Sequence, residues 1–216
     1  MPEQHDPYLL DAVGLCSRDT TRRSFLTHTI GFSLSAIVGS QLIQGAWAGQ
    51  PKAGDKPFDK DQAESFMRRA IELSRKGVEA GDGGPFGAVI VKDGQIVGEG
   101  WNRVVRTKDP TAHGEVVAIR DACKRLASFS LTGCDLYTTG EPCPMCFGSI
   151  YWARIDRVFF GFSVKDAAAI GFDDQFIYEQ LAKPLDQRLI PESQLLATEA
   201  LQVAKAYASD PTRVKF

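Results

Sequence analysis

The chain reads as one α/β domain arranged around a mixed sheet, and three observations carry that reading. Segments with helical spacing of apolar residues alternate with short runs of β-formers, as expected of helices packed on a sheet. Asp93-Gly94 joins two of those runs as a two-residue turn, the signal of an antiparallel hairpin. The 216 residues are 44% hydrophobic and 24% charged, which is enough apolar material for one sizeable core.

Each element follows from its own pattern. Over residues 59–80 the apolar positions Ala63, Phe66, Met67, Ala70, Ile71 and Leu73 form a helical stripe opposite a charged face. Gly81-Asp82-Gly83-Gly84-Pro85 stops that helix. Residues 86–91 and 95–101 are the strands of the hairpin. A second helix is expected over 112–127, with Val116, Val117, Ile119 and Ala122 facing inward. Residues 136–139 read as a buried strand, 143–153 as a third helix and 157–161 as another strand. Two further helical patterns follow at about 175–182 and 199–208, with no internal domain boundary after Lys56.

Charge and composition exclude several classes. Lys+Arg 25 against Asp+Glu 27 gives a net charge of -2, so no basic excess exists to neutralise a nucleic-acid backbone. The apolar fraction rules out general disorder. Eleven prolines and 20 glycines without a period rule out collagen-like and solenoid designs, and 5 cysteines in so long a chain do not make a disulfide scaffold.

The first 48 residues are set apart from the fold. Arg22-Arg23 precede an uncharged, moderately apolar stretch that ends in Ala46-Trp47-Ala48, whose small residues suit a signal peptidase. The pattern resembles a twin-arginine export signal, which carries folded proteins across the bacterial inner membrane. Ser35, Gly39, Ser40, Gln41 and Gln44 break the apolar run, which disfavours the alternative of an uncleaved inner-membrane anchor. The expectation is a signal at 1–48, a polar linker at 49–58 and one domain at 59–216, in a periplasmic protein that meets the twin-arginine translocase during export. Export would also remove His5, His28 and Cys16, leaving His113 as the single histidine.

Two segments carry chemistry: His113-Gly114-Glu115 and Glu141-Pro142-Cys143-Pro144-Met145-Cys146. Cysteines three positions apart at a helix start can reach one ion, and the helix N-terminus favours their thiolates. His113 offers a nitrogen as third ligand. Three protein ligands leave one tetrahedral position open, the arrangement of catalytic zinc, and Glu115 is then placed to move protons. Blander readings are a redox Cys-x-x-Cys pair, or a closed zinc site completed by Cys123 and Cys134. His-x-Glu followed about 28 residues later by Pro-Cys-x-x-Cys is, however, the signature of zinc deaminases. With one histidine available, a Ser–His or Cys–His nucleophile would compete with the metal for the same ring.

On these motifs, together with Pro85–Val91, Asp109–Ala112 and Ala169-Ile170-Gly171-Phe172-Asp173-Asp174, the chain resembles the bacterial guanine deaminases of the cytidine deaminase superfamily over about residues 60–190. The resemblance implies a three-layer α/β/α sandwich and a homodimer with exchanged C-terminal segments. It implies a zinc ion on His113, Cys143 and Cys146, proton transfer by Glu115, and conversion of guanine and water to xanthine and ammonia. Asn102 and Asp174 would hydrogen-bond the purine, and Phe86 would line its face. Turn, helix-cap and core roles compete for these three, and Asp173 competes with Asp174 for either job. Two departures stand out. Gly114 replaces an Ala common in relatives, removing a methyl beside the metal. Phe216 ends the chain where relatives can carry a tyrosine, so it could stack on a ligand but not donate a phenolic hydrogen bond. Rival readings are a deaminase of guanosine, ammeline or a cytidine-type ring, and a zinc-binding module without turnover.

Overall fold

The protein is described by a computed structural model over residues 57–215. Helix α1 (Lys60–Glu79) begins at Asp59, whose side chain accepts the Gln62 N–H at 3.1 Å as an N-cap. Its buried positions Ala63, Phe66, Ala70, Leu73 and Gly77 recur every three or four residues, one stripe of a 3.6-residue period. Strands β1 (Gly87–Lys92) and β2 (Gln95–Trp101) pair antiparallel across Asp93 and Gly94, which both have positive φ, 50° and 74°. A type I′ turn requires that geometry, and Asp-Gly tolerates it.

Short helix α2 (Val104–Thr107) follows, then α3 (Gly114–Arg125), β3 (Cys134–Gly140), α4 (Pro144–Trp152) and β4 (Arg157–Phe162). The strands order β2-β1-β3-β4. β3 runs antiparallel to β1 and parallel to β4, which is reached through α4.

Strand alternation builds two cores, one on each face. Val89, Val91 and Tyr137 pack against Ala63, Phe66 and Leu73 of α1. Ala88, Ile90 and Leu136 pack on the other side with Ala118 and Ala122 of α3 and Ile150 of α4. The mixed sheet is thus sandwiched between helical layers, as the sequence predicts. All of β3 is buried, as expected of a strand covered by helices on both faces of the sheet.

Beyond β4 the chain changes character. Helix α5 (Val164–Ala169) is started by a reciprocal capping box between Ser163 and Asp166. Helices α6 (Asp174–Ala182) and α7 (Ala197–Ser209) contain no buried residue. The expected helices and strands are all found, with ends shifted by a few residues at most. Helices α2 and α5, of 4 and 6 residues, were not anticipated, because so short a segment shows no period. The segment expected to be an export signal, most of the expected linker and Phe216 lie outside the described residues. The linker's last residue, Phe58, stacks on Phe159 with ring centroids 5.6 Å apart.

Candidate active site

Two helix starts face each other across the end of β3. His113 is the N-cap of α3 and Cys143 the N-cap of α4, and neither side chain makes a capping hydrogen bond. Both have extended backbone there, which frees the imidazole and the thiol to point away from the helix axis. Pro144 occupies the first turn of α4, where a missing N–H costs nothing. Cys146, in that same turn, is fully buried.

Three donor atoms converge. His113 Nδ1 lies 3.5 Å from Cys143 Sγ and 3.6 Å from Cys146 Sγ, and the three ligand atoms all lie within 4.8 Å of one another. For zinc, bonds of about 2.3 Å to sulfur and about 2.0–2.1 Å to nitrogen at a tetrahedral angle separate N and S by about 3.6 Å. The spacing and the imidazole–dithiolate chemistry therefore fit zinc. Cys123 and Cys134 belong to the apolar core around Ile90 and are absent from this cluster, so the closed four-cysteine site is not formed.

Protonation is shared unevenly in the metal-free cluster. A hydrogen bond from Cys146 holds the Cys143 thiol well below its ordinary range, with His113 adding to the effect against the opposing cost of burial. The same bond, reinforced by burial and the nearby Glu115 charge, pushes Cys146 up. His113 is raised, chiefly by its contact with Cys143. Glu115, in the first turn of α3 and only 4% exposed, is raised mainly by burial. Its Oε2 accepts from Cys146 Sγ at 3.5 Å, so the carboxylate sits against the metal ligands without joining them.

A narrow cleft opens beside the cluster, lined by Phe86, Asn102, His113, Glu115, Glu141, Cys143, Phe172 and Asp174, with about 30 Å³ of accessible space. All of the sequence-predicted site residues that are described border this cleft except Cys146, which lies just behind it. The competing roles are divided. Asp173 is the N-cap of α6, accepting the Phe176 N–H at 3.2 Å, while Asp174 turns to the cleft. Burial, aided by the Cys143 charge, raises the Asp174 carboxyl. Asn102 is buried, and its Oδ1 accepts the Val104 N–H at 3.2 Å. That bond orients the amide and leaves Nδ2 as the donor available to a ligand. Phe86 is half-buried and packs edge-on to Phe172 with centroids 4.9 Å apart, so it serves as a wall of the cleft and lies outside the buried core.

Two cleft residues escaped sequence reasoning. Phe172 lies in a recognisable run, but nothing in a lone phenylalanine distinguishes wall from core. Glu141 precedes Pro142, and its Oε2 accepts the Val164 N–H at 3.0 Å, which ties the cysteine loop to the start of α5. The reading of Gly114 also needs correction. A methyl there would meet the Phe86 carbonyl oxygen at 2.9 Å, so the glycine accommodates the β1 backbone rather than leaving room beside the metal ligands.

Comparison with known proteins agrees with this geometry. The pattern described as "Cytidine and deoxycytidylate deaminase zinc-binding region" matches residues 60–162. Guanine deaminase of Bacillus subtilis (strain 168) is 55% identical over 144 residues, covering 67% of this chain and 92% of the relative. Its X-ray structure superposes with a TM-score of 0.69 at 52% identity, covering 71% of this chain and 98% of that one. A tRNA-specific adenosine deaminase of Haemophilus influenzae is 44% identical over 117 residues, 51% of this chain and 67% of the relative. The protein NE0047, solved in complex with 2,6-diaminopurine, has a TM-score of 0.51 at 34% identity over 56% of this chain and 68% of that one. Both the metal-ligand geometry and the 55% identity over 92% of the Bacillus subtilis enzyme lead to one assignment: the chain belongs to the cytidine and deoxycytidylate deaminase superfamily, on its guanine deaminase branch.

Proposed function

We propose that this protein is a zinc-dependent hydrolytic deaminase that converts guanine and water to xanthine and ammonia. The observation that carries the reading is a buried carboxylate, Glu115, held against a His/Cys/Cys cluster in the cleft that also holds Asn102 and Asp174. Support for the purine comes from the 55% identity to the Bacillus subtilis enzyme and from the purine analogue bound by NE0047.

His113, Cys143 and Cys146 would hold the ion. Bound there, zinc supplies the Lewis acidity that makes water a nucleophile at neutral pH. Glu115 takes the proton of the attacking water and delivers it to the ring nitrogen beside C2. It then carries the second proton to the amine, so the C2–O bond forms in the first step and the bond from C2 to the departing amine breaks in the second. Burial suits it to this work, because it raises the carboxyl pKa and so favours the protonated form that must hand a proton on. Asn102 Nδ2 donates to an acceptor on the purine rim, and the Asp174 carboxylate accepts from ring N–H groups. Phe86 and Phe172 supply flat apolar walls.

The assembly we infer is a homodimer with exchanged C-terminal segments. Its support is the unsheltered apolar surface of α6 and α7, where Phe176, Ile177, Leu181 and Leu201 are all exposed. The mature form begins near Gly49 outside the inner membrane, supported by Arg22-Arg23 and the Ala46-Trp47-Ala48 site. Replacing both arginines by lysine should strand the protein in the cytoplasm, and unchanged export would overturn that part.

The decisive test is ammonia release by the zinc-loaded enzyme from guanine, guanosine, cytidine, adenine and ammeline. Guanine turnover at one zinc per chain is expected. Activity on cytidine without activity on guanine would refute the assignment.

A further inference from the structure

Asn102 rests on a cluster, centred on buried Asp82 and half-buried Trp101, that the deamination chemistry does not touch. Asp82, in the turn after α1, is 5% exposed, and its Oδ2 accepts the Trp101 indole N–H at 2.7 Å. Arg106 Nη1 reaches the same oxygen at 3.4 Å, but its side chain is 64% exposed, so that ion pair is the weaker partner. The backbone of Asp82 is pinned as well: its N–H donates to Gly77 O at 2.9 Å, and its carbonyl accepts from Arg106 N at 3.1 Å.

The indole is held from several sides. Arg103 lies 3.9 Å and Lys76 4.8 Å from the ring centroid, so two cations share one electron-rich ring. A methyl on Gly77 would fall 2.5 Å from Trp101 Cδ1, which shows how closely the indole sits on α1. Both neighbours of this bond touch Asn102. Trp101 precedes it in the chain, and Gly83, which follows Asp82, lies directly under its amide. A Cβ built on Gly83 would meet Asn102 Oδ1 at 2.1 Å. The Asp82–Trp101 bond therefore clamps together the two backbone segments between which the Asn102 side chain is set.

We propose that Asp82 and Trp101 are positioning residues that fix the Asn102 amide for ligand recognition. The proposal rests on the reading of Asn102 as a ring-binding donor. A contact made equally to bound ring and transition state changes KM and leaves kcat in place. Loosening the clamp should therefore appear as a KM effect, not as a loss of chemistry.

The test uses the zinc-loaded, full-length enzyme. Asp82→Ala and Trp101→Phe each remove the same hydrogen bond. Each is expected to raise KM for guanine about tenfold while kcat stays within about twofold, with zinc content unchanged. Asp82→Asn keeps an acceptor for the indole N–H and should restore KM to within about threefold of the parent. In an Asn102→Ala background, Asp82→Ala should add little, because both act through one amide. Equal penalties in both backgrounds, or an unchanged KM in a folded Asp82→Ala or Trp101→Phe variant, would overturn the proposal. A substrate-independent arm reads the Asn102 side-chain amide by ¹⁵N–¹H NMR, assigned by its loss in Asn102→Ala. A sharp pair is expected in the parent and a broadened one in either clamp variant. If the parent does not deaminate guanine, the functional reading fails alone. If the amide signal is indifferent to the clamp, the positioning role fails whatever the substrate.

Discussion

Cys143 and Cys146 differ sharply although they share a turn. In the metal-free protein the Cys143 thiol is held down by its contacts with Cys146 and His113 while Cys146 is pushed up, so the thiolate is favoured at Cys143. Alkylation follows the thiolate. Zinc-stripped protein treated with iodoacetamide at pH 7 should label at Cys143 well before Cys146, as read by peptide mass spectrometry, and restoring zinc should protect both. Equal labelling would contradict the shared-proton arrangement. Glu115 is tested by Glu115→Gln, which keeps the shape and removes the base. Zinc content should be retained while guanine turnover falls by about 10²–10⁴, the usual contribution of a positioned proton shuttle. A zinc-binding module without turnover would be indifferent to the change.

At the scale of elements, the site is set by how tightly α3 lies on the sheet. A Cβ on Gly100 of β2 would meet Gly114 O at 2.3 Å and Ala118 N at 2.4 Å. These are backbone atoms and cannot swing aside. Gly100→Ala is expected to cost about 1–3 kcal/mol, the usual range for overpacking. At about 2–4 °C per kcal/mol for a chain of this size, the loss should be visible in a thermal melt. Because α3 carries His113 and Glu115, zinc affinity should fall as well, measurable by competition with a chelator. On the other side, Tyr178 of α6 donates to Pro142 O at 3.0 Å, joining the segment that bears Asp174 to the loop before Cys143. Tyr178→Phe should lower stability by about 1 kcal/mol, a melt shift of a few degrees, with its larger effect on KM for guanine. What was legible in the sequence follows the same division. His113, Glu115, Cys143 and Cys146 declare themselves because a metal and a proton shuttle demand fixed residue types at fixed spacing. The long helices and the hairpin declare themselves by period. Phe172, Glu141 and the Asp82–Trp101 clamp were invisible, since their roles come from contacts between segments far apart in the chain. Helices α2 and α5 are too short to show a period at all.

The whole molecule is unevenly built. Its sandwich buries a full core on both faces of the sheet, yet α6 and α7 hold no fully buried residue, and α4 leaves Phe147, Tyr151 and Trp152 largely exposed. Apolar side chains on adjoining elements carry an unmet gain of about 25 cal/mol for every Å² that association removes from water. No helix among the described residues is long and apolar enough to cross a membrane. In the homodimer proposed above, a symmetric pair would shelter the same helices twice. Sedimentation equilibrium of the mature protein at micromolar concentration should give twice the chain mass. Leu201→Glu together with Leu181→Glu places charges where contact is expected and should shift the distribution toward monomer. If the exchanged segments complete the cleft, guanine turnover should fall in step with the dimer fraction and recover at higher protein concentration. A parent protein that stays monomeric throughout, with full turnover, would show that the C-terminal helices serve no partner copy.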